Sequence, residues 1–224
     1  MEFWIDSANL EDIQACIRHY PVTGVTTNPS ILAKEGCPDV FGHLKEIHEA
    51  LDASMGLHVQ VLGDNYEAMV EDAASIHKHL GSSVYVKIPA TEQGFRAMRF
   101  LKSEGYRVTA TVVYTKMQGF MALACGADYV APYCNRMDAL GIDFCGVIRD
   151  LRHMIDADGS AGKIIAASFR SSTQICDALV AGAHGVTVPP SLLRESLRLA
   201  AVEDAMKTFE TDWLEVYGSP TLPE

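Results

Sequence analysis

Eight short, β-rich apolar runs recur along the chain, each followed by a helical stretch, and this alternation limits the fold more than any other feature. The runs are EFWID (2–6), VTGVTTN (22–28), LHVQVL (57–62), SVYVKI (83–88), RVTATVV (107–113), DYVAPY (128–133), KIIAAS (163–168) and HGVTV (184–188). Between them lie stretches of helical periodicity, such as NYEAMVEDAASIHKHL (65–80) and EQGFRAMRFLKSE (92–104). Gly81, Gly105, Gly126 and Gly182 stand where such helices would close. Regular β/α alternation implies a parallel sheet, and eight units favour closure into a (β/α)8 TIM barrel. The alternative is an open doubly wound sheet, which would place a Gly-rich phosphate loop after an early strand. The nearest candidate, GSAGK (159–163), lacks that spacing and precedes a strand, so it reads as a loop.

Residues 1–224 contain no linker and no low-complexity segment, and their length suits one barrel-sized domain. After the last run, residues 190–217 carry more helix than one barrel unit needs. Leu193, Leu197, Met206, Phe209 and Trp213 give this C-terminal helical segment an amphipathic character. It either covers the barrel bottom or contacts another subunit, and periodicity does not choose between them.

Charge narrows the partners. The net charge is −11, from 29 acidic and 18 basic residues, and no Lys/Arg-rich stretch interrupts the acidity. No nucleic-acid partner is expected, and an anionic ligand would need a few basic groups collected at one place. No apolar run approaches the roughly 20 residues of a membrane span. The opening MEFWID lacks the basic start and long apolar stretch of a signal peptide. A cytoplasmic protein is the expectation, with no membrane association. The six cysteines form no CxxC pair and the eight histidines no HExxH. His77 and His79 are two apart and His43 and His48 five apart, spacings that do not suit a shared metal on one helix face. No metal is expected.

In such a barrel, functional side chains sit at the C-terminal ends of strands and point inward at alternate positions. The otherwise apolar runs carry polar groups there: Asp6, Thr26, Asn28, Gln60, Lys87, Thr111, Tyr133 and Ser168. Alternation puts Ser83, Tyr85 and Lys87 on one side of the fourth run, and Tyr129, Ala131 and Tyr133 on one side of the sixth. A lysine aimed into a barrel loses hydration, which disfavours its ammonium form and yields the neutral amine that attacks a ketone. The imine so formed is an electron sink for cleaving the neighbouring C–C bond. A bland reading has Lys87 reaching solvent at the rim. Likewise Asp6 could cap the next helix, Thr111 could be an ordinary strand residue, and Tyr133 a core ring. Asp6, Tyr133, or a water held by Gln60, Thr111 and Tyr133 are candidates for proton transfer. Arg136 follows the sixth run and Arg170 the seventh. Ser168, Ser171 and Ser172 precede a helix, where hydroxyls and free N–H groups suit a phosphate.

The sequence resembles the transaldolase family, and within it the short fructose-6-phosphate aldolase-like branch, from Met1 to the end of the final helix. The resemblance rests on IDSAN (5–9), GVTTNPSI (24–31), VKIPAT (86–91), APYCNR (131–136) and AASFR (166–170). It implies a Schiff base on Lys87, with Asp6 and Asn28 shaping the site, and Arg136 and Ser168 at the phosphate with Arg170 nearby; Thr26, at its strand end, is a further substrate-binding candidate. Family transaldolases have Glu at the Gln60 position and Phe at the Tyr133 position. The aldolases have Gln and Tyr, with a Thr at the Thr111 position, so this chain sides with the aldolases. Ser7 stands where the family usually has Thr, and Thr109 where aldolases often have Leu and transaldolases Asn. The implied activity is reversible cleavage of fructose 6-phosphate to dihydroxyacetone and glyceraldehyde 3-phosphate, without a cofactor. Transfer of the dihydroxyacetone unit between sugar phosphates is one alternative, and a non-catalytic sugar-phosphate-binding barrel another. The resemblance also implies a homo-oligomer, a pentamer or decamer, with the last helix crossing to a neighbour.

Overall fold

The computed structural model describes residues 1–222 and forms a closed barrel of eight parallel strands in chain order. The strands are β1 (Glu2–Asp6), β2 (Val22–Thr26), β3 (Gly56–Gln60), β4 (Tyr85–Pro89), β5 (Arg107–Val113), β6 (Tyr129–Pro132), β7 (Lys163–Ala166) and β8 (Gly185–Val188). The first helices around them are α1 (Leu10–His19), α2 (Pro29–Glu35), α3 (Val40–Glu49), α4 (Tyr66–Leu80) and α5 (Glu92–Ser103). Then come α6 (Lys116–Ala124), α7 (Cys134–Ala139), α8 (Phe144–Asp158), α9 (Ser172–Val180), α10 (Pro190–Leu197) and α11 (Ala200–Tyr217). All eight expected runs are strands. Ser83 lies before β4 and Tyr133 just after β6, where it bridges to Ala167.

Period-two alternation splits each strand between two cores. Ile5, Val25, Val86, Ile88, Val108, Val130, Ile164 and Val186 face outward and pack under the helices. Trp4, Tyr129, Ala131, Ile165 and Ala167 fill the interior, with Tyr85 and Tyr133 against them. Glu2 closes the lower end. Its carboxylate accepts from Trp4 Nε1 (3.1 Å), Tyr129 Oη (3.0 Å) and Lys163 Nζ (2.7 Å).

Side-chain caps fix where the chain turns from strand to helix. Asn9, Asn28, Asn65, Thr91, Thr115 and Ser171 each accept the backbone N–H three residues on. Each such cap contributes about 1 kcal/mol. It also holds the end of the preceding strand, and so the side chain that strand presents at the upper rim. Gly81, Gly105, Gly126 and Gly182 all have positive φ, as expected of helix closure. GSAGK is a loop running from the end of α8 into β7.

Segment 190–217 is two helices, interrupted at Arg198 and Leu199. The first, α10, packs against α1 and α9. None of the residues of α11 is buried, so it does not lie on the barrel as a cover. No helix among the described residues is long and apolar enough to cross a membrane. The paired histidines have packing roles: His77 stacks on Tyr106 (4.0 Å) and His79 on Phe41 (4.1 Å). Among the described residues, no group of three or more His, Cys, Asp or Glu is placed to hold a metal ion.

Candidate active site

A cavity of about 440 Å3 opens at the C-terminal end of the strands, within the size range of small-ligand sites. Asp6, Thr26, Asn28, Gln60, Lys87, Tyr133, Arg136, Ser168 and Arg170 all line it. Thr111 does not line it, but its hydroxyl is 3.0 Å from that of Tyr133, which does. Register explains the grouping: Asp6 pairs with Thr26, Gln60 with Lys87, and Lys87 with Thr109.

Lys87 is only 5% exposed, which excludes a side chain reaching solvent at the rim. Its Nζ donates to the Thr27 carbonyl at 2.6 Å. Burial pushes its pKa below the ordinary lysine value, and attraction to Asp6 opposes that shift. The same burial pushes the Asp6 carboxyl up, against the charge of Lys87 and the hydrogen bond from Thr26. Both shifts favour the neutral forms, and each group's charge opposes the other's shift. Asp6 does not cap α1, a role filled by Asn9.

Thr26 donates to Asp6 Oδ1 (2.8 Å) and its oxygen lies 2.6 Å from Thr187 Oγ1. Its hydroxyl is therefore committed to orienting the carboxylate. Tyr133 is held protonated, chiefly by burial, with Asp6 adding to the effect. Gln60 Oε1 is buried and accepts no hydrogen bond from the protein. A buried acceptor of this kind calls for a donor from water or from a bound hydroxyl.

At the mouth stand Arg136 from α7, Arg170 from the β7–α9 loop and Lys34 from α2. Among the described residues none of the three has a carboxylate at ion-pair distance. The Arg136 guanidinium sits 5.7 Å from the centre of the Tyr133 ring. In a chain of net charge −11 this local collection of cations suits an anionic group. The serines divide. Ser168 lines the cavity, whereas Ser171 caps α9 by accepting from Gln174 N and neither it nor Ser172 lines the cavity. The Arg170 N–H is also taken, by Gln174 Oε1 (2.9 Å).

Sequence reasoning missed Lys34, His58 and Val112, all of which line the cavity. Lys34 is one helical turn beyond Ile31, on the inward face of α2, a signal visible once α2 is placed. Val112 has φ +58° at a β5 bulge, where Ala110 pairs with Val130 but Val113 with Pro132. A β-branched residue there is strained by about 1–3 kcal/mol, as is typical beside functional sites. Ser168, at φ +62°, is a second such residue on the cavity wall.

The transaldolase/fructose-6-phosphate aldolase family matches the chain over residues 3–217, from β1 to the last turn of α11. The chain belongs to this family. It is also 39% identical over 222 residues to a probable fructose-6-phosphate aldolase of Streptococcus pneumoniae (strain ATCC 700669 / Spain 23F-1). That similarity covers 99% of this chain and 100% of the streptococcal protein. Membership makes the chain an enzyme of the aldolase or transaldolase type and sets aside a purely ligand-binding barrel.

Proposed function

We propose that this family member is a class I aldolase that reversibly cleaves fructose 6-phosphate, or a close ketose phosphate, into dihydroxyacetone and glyceraldehyde 3-phosphate. It acts in the cytoplasm as a homo-oligomer, a pentamer or decamer. The observation that carries the reading is Lys87, an amine buried to 5% exposure that still faces the cavity. Desolvation shifts it toward the nucleophilic free base.

The amine adds to the C2 carbonyl, water leaves, and the protonated imine becomes the electron sink. A water bound by Gln60 and by Tyr133, itself held by Thr111, takes the proton of the C4 hydroxyl. The C3–C4 bond breaks, its electron pair passes into the imine as an enamine, and glyceraldehyde 3-phosphate is released. Protonation at C3 and hydrolysis free dihydroxyacetone and restore Lys87. Asp6, oriented by Thr26, and Asn28 align the ketose hydroxyls, while Arg136, Ser168 and Arg170 take the phosphate. The imine itself is the electron sink, so the steps call for no cofactor. The unmatched Gln60 Oε1 and the Tyr133–Thr111 hydrogen bond support the water-assisted aldolase over the transaldolase. The name of the streptococcal relative points the same way.

The test is release of glyceraldehyde 3-phosphate from fructose 6-phosphate with and without erythrose 4-phosphate as acceptor. Steady release without acceptor is expected. Release only with acceptor would make the enzyme a transaldolase.

A further inference from the structure

The cavity floor holds polar groups that the proposed reaction leaves unused. His58 lies two residues before Gln60 on the inward side of β3, and it pairs with Tyr85 where Gln60 pairs with Lys87. It therefore sits one layer below the lysine. The ring is fully buried, with Nδ1 2.9 Å from Thr109 Oγ1 and Nε2 lacking any hydrogen-bond partner. Trp4, Tyr85 and Tyr129 pack around it, at ring separations of 4.5, 4.4 and 5.1 Å. Those aromatic neighbours would accept a phenyl ring without leaving a nitrogen unmatched. Packing alone thus gives no reason for an imidazole here. Burial holds the ring neutral, so it keeps one donor and one acceptor nitrogen. Both His58 and Thr109 line the cavity, beside the apolar Ala131 and Ile165.

The direction of the substrate decides what reaches this floor. With C2 bonded to Lys87 and the C6 phosphate held among the cations of the mouth, C1 alone remains on the far side of C2. Its hydroxymethyl group must point down into the barrel. We propose that His58 and Thr109 together bind the C1 hydroxyl of the ketose donor and select dihydroxyacetone over a donor with a methyl group at that carbon. This rests on the Schiff-base reading above. A site built to hydrogen-bond a hydroxyl discriminates against its absence, because the polar groups are then left unpaired.

The experiment compares dihydroxyacetone with hydroxyacetone as donors to glyceraldehyde 3-phosphate, reading kcat/KM for each in the wild type, His58→Phe, Thr109→Val and Thr109→Ser. The wild type is expected to favour dihydroxyacetone. That preference is expected to fall about tenfold or more in His58→Phe and Thr109→Val, and to survive in Thr109→Ser. Rates that fall equally for both donors, or a preference unchanged in both variants, would overturn the inference. Borohydride trapping of each donor on the wild-type enzyme separates the two levels. Adducts at Lys87 with an unchanged preference sink the C1-hydroxyl proposal alone, and no adduct at all sinks the Schiff-base reading and this inference with it.

Discussion

At the scale of single residues, the site is a balance between desolvation and one opposing charge. Lys87 is pushed toward its free base by burial and pulled back by Asp6. Replacing Asp6 by Asn removes the pull, so the Lys87 pKa falls further and the free amine persists to lower pH. The acidic limb of imine formation, followed by borohydride trapping across pH, is expected to move to lower pH in Asp6→Asn. Maximal cleavage should drop as the ketose hydroxyls lose their partner. A limb that moves upward would mean that Asp6 does not face the lysine in solution. Asp6, Gln60, Lys87 and Tyr133 were legible in the sequence because each interrupts an apolar run at a strand end. His58 was not, because an imidazole inside LHVQVL has the pattern of an ordinary strand. Lys34 was not either, because a lysine on a short helix ordinarily faces water.

At the scale of elements, the strand ends depend on how the barrel interior is filled below them. Trp4 takes its place on β1 because β2 and β3 offer paired glycines, Gly24 opposite Gly56. A Cβ on Gly24 would lie 2.1 Å from the Gly56 carbonyl oxygen and 2.5 Å from the Trp4 ring. Neither can give way without moving a strand. Gly24→Ala is therefore expected to lower stability by about 2 kcal/mol or more, read as a reduced urea midpoint. An unchanged midpoint would show that the two strands are not so close. The motif GVTTNPS locates β2 and the α2 cap, yet the need for its glycine depends on a tryptophan 20 residues away. Strand-to-strand contacts of that kind leave no local pattern. The β5 bulge was equally silent, since RVTATVV has no glycine to mark it.

At the scale of the whole molecule, α11 is the feature a lone chain does not explain. Val202, Met206, Phe209, Trp213 and Val216 recur every three or four residues along it. Met206 is 65% and Phe209 69% exposed. A stripe of this kind on a surface helix suits contact with another chain, which fits the homo-oligomer we propose. Sequence periodicity showed the amphipathic face, but not that it would be left bare by its own barrel. Phe209→Glu is expected to shift the protein to smaller species in sedimentation velocity without loss of secondary structure. A monomeric wild type would contradict the assignment of α11 to assembly.

The central claim is covalent catalysis by Lys87, and borohydride trapping tests it most directly. Enzyme incubated with fructose 6-phosphate and sodium borohydride should gain one reduced sugar adduct per chain, mapped by peptide mass spectrometry to Lys87. Lys87→Met, which replaces a buried amine with an apolar side chain, should remain folded, form no adduct and have no cleavage activity. An adduct on another lysine, or normal turnover in Lys87→Met, would contradict the account.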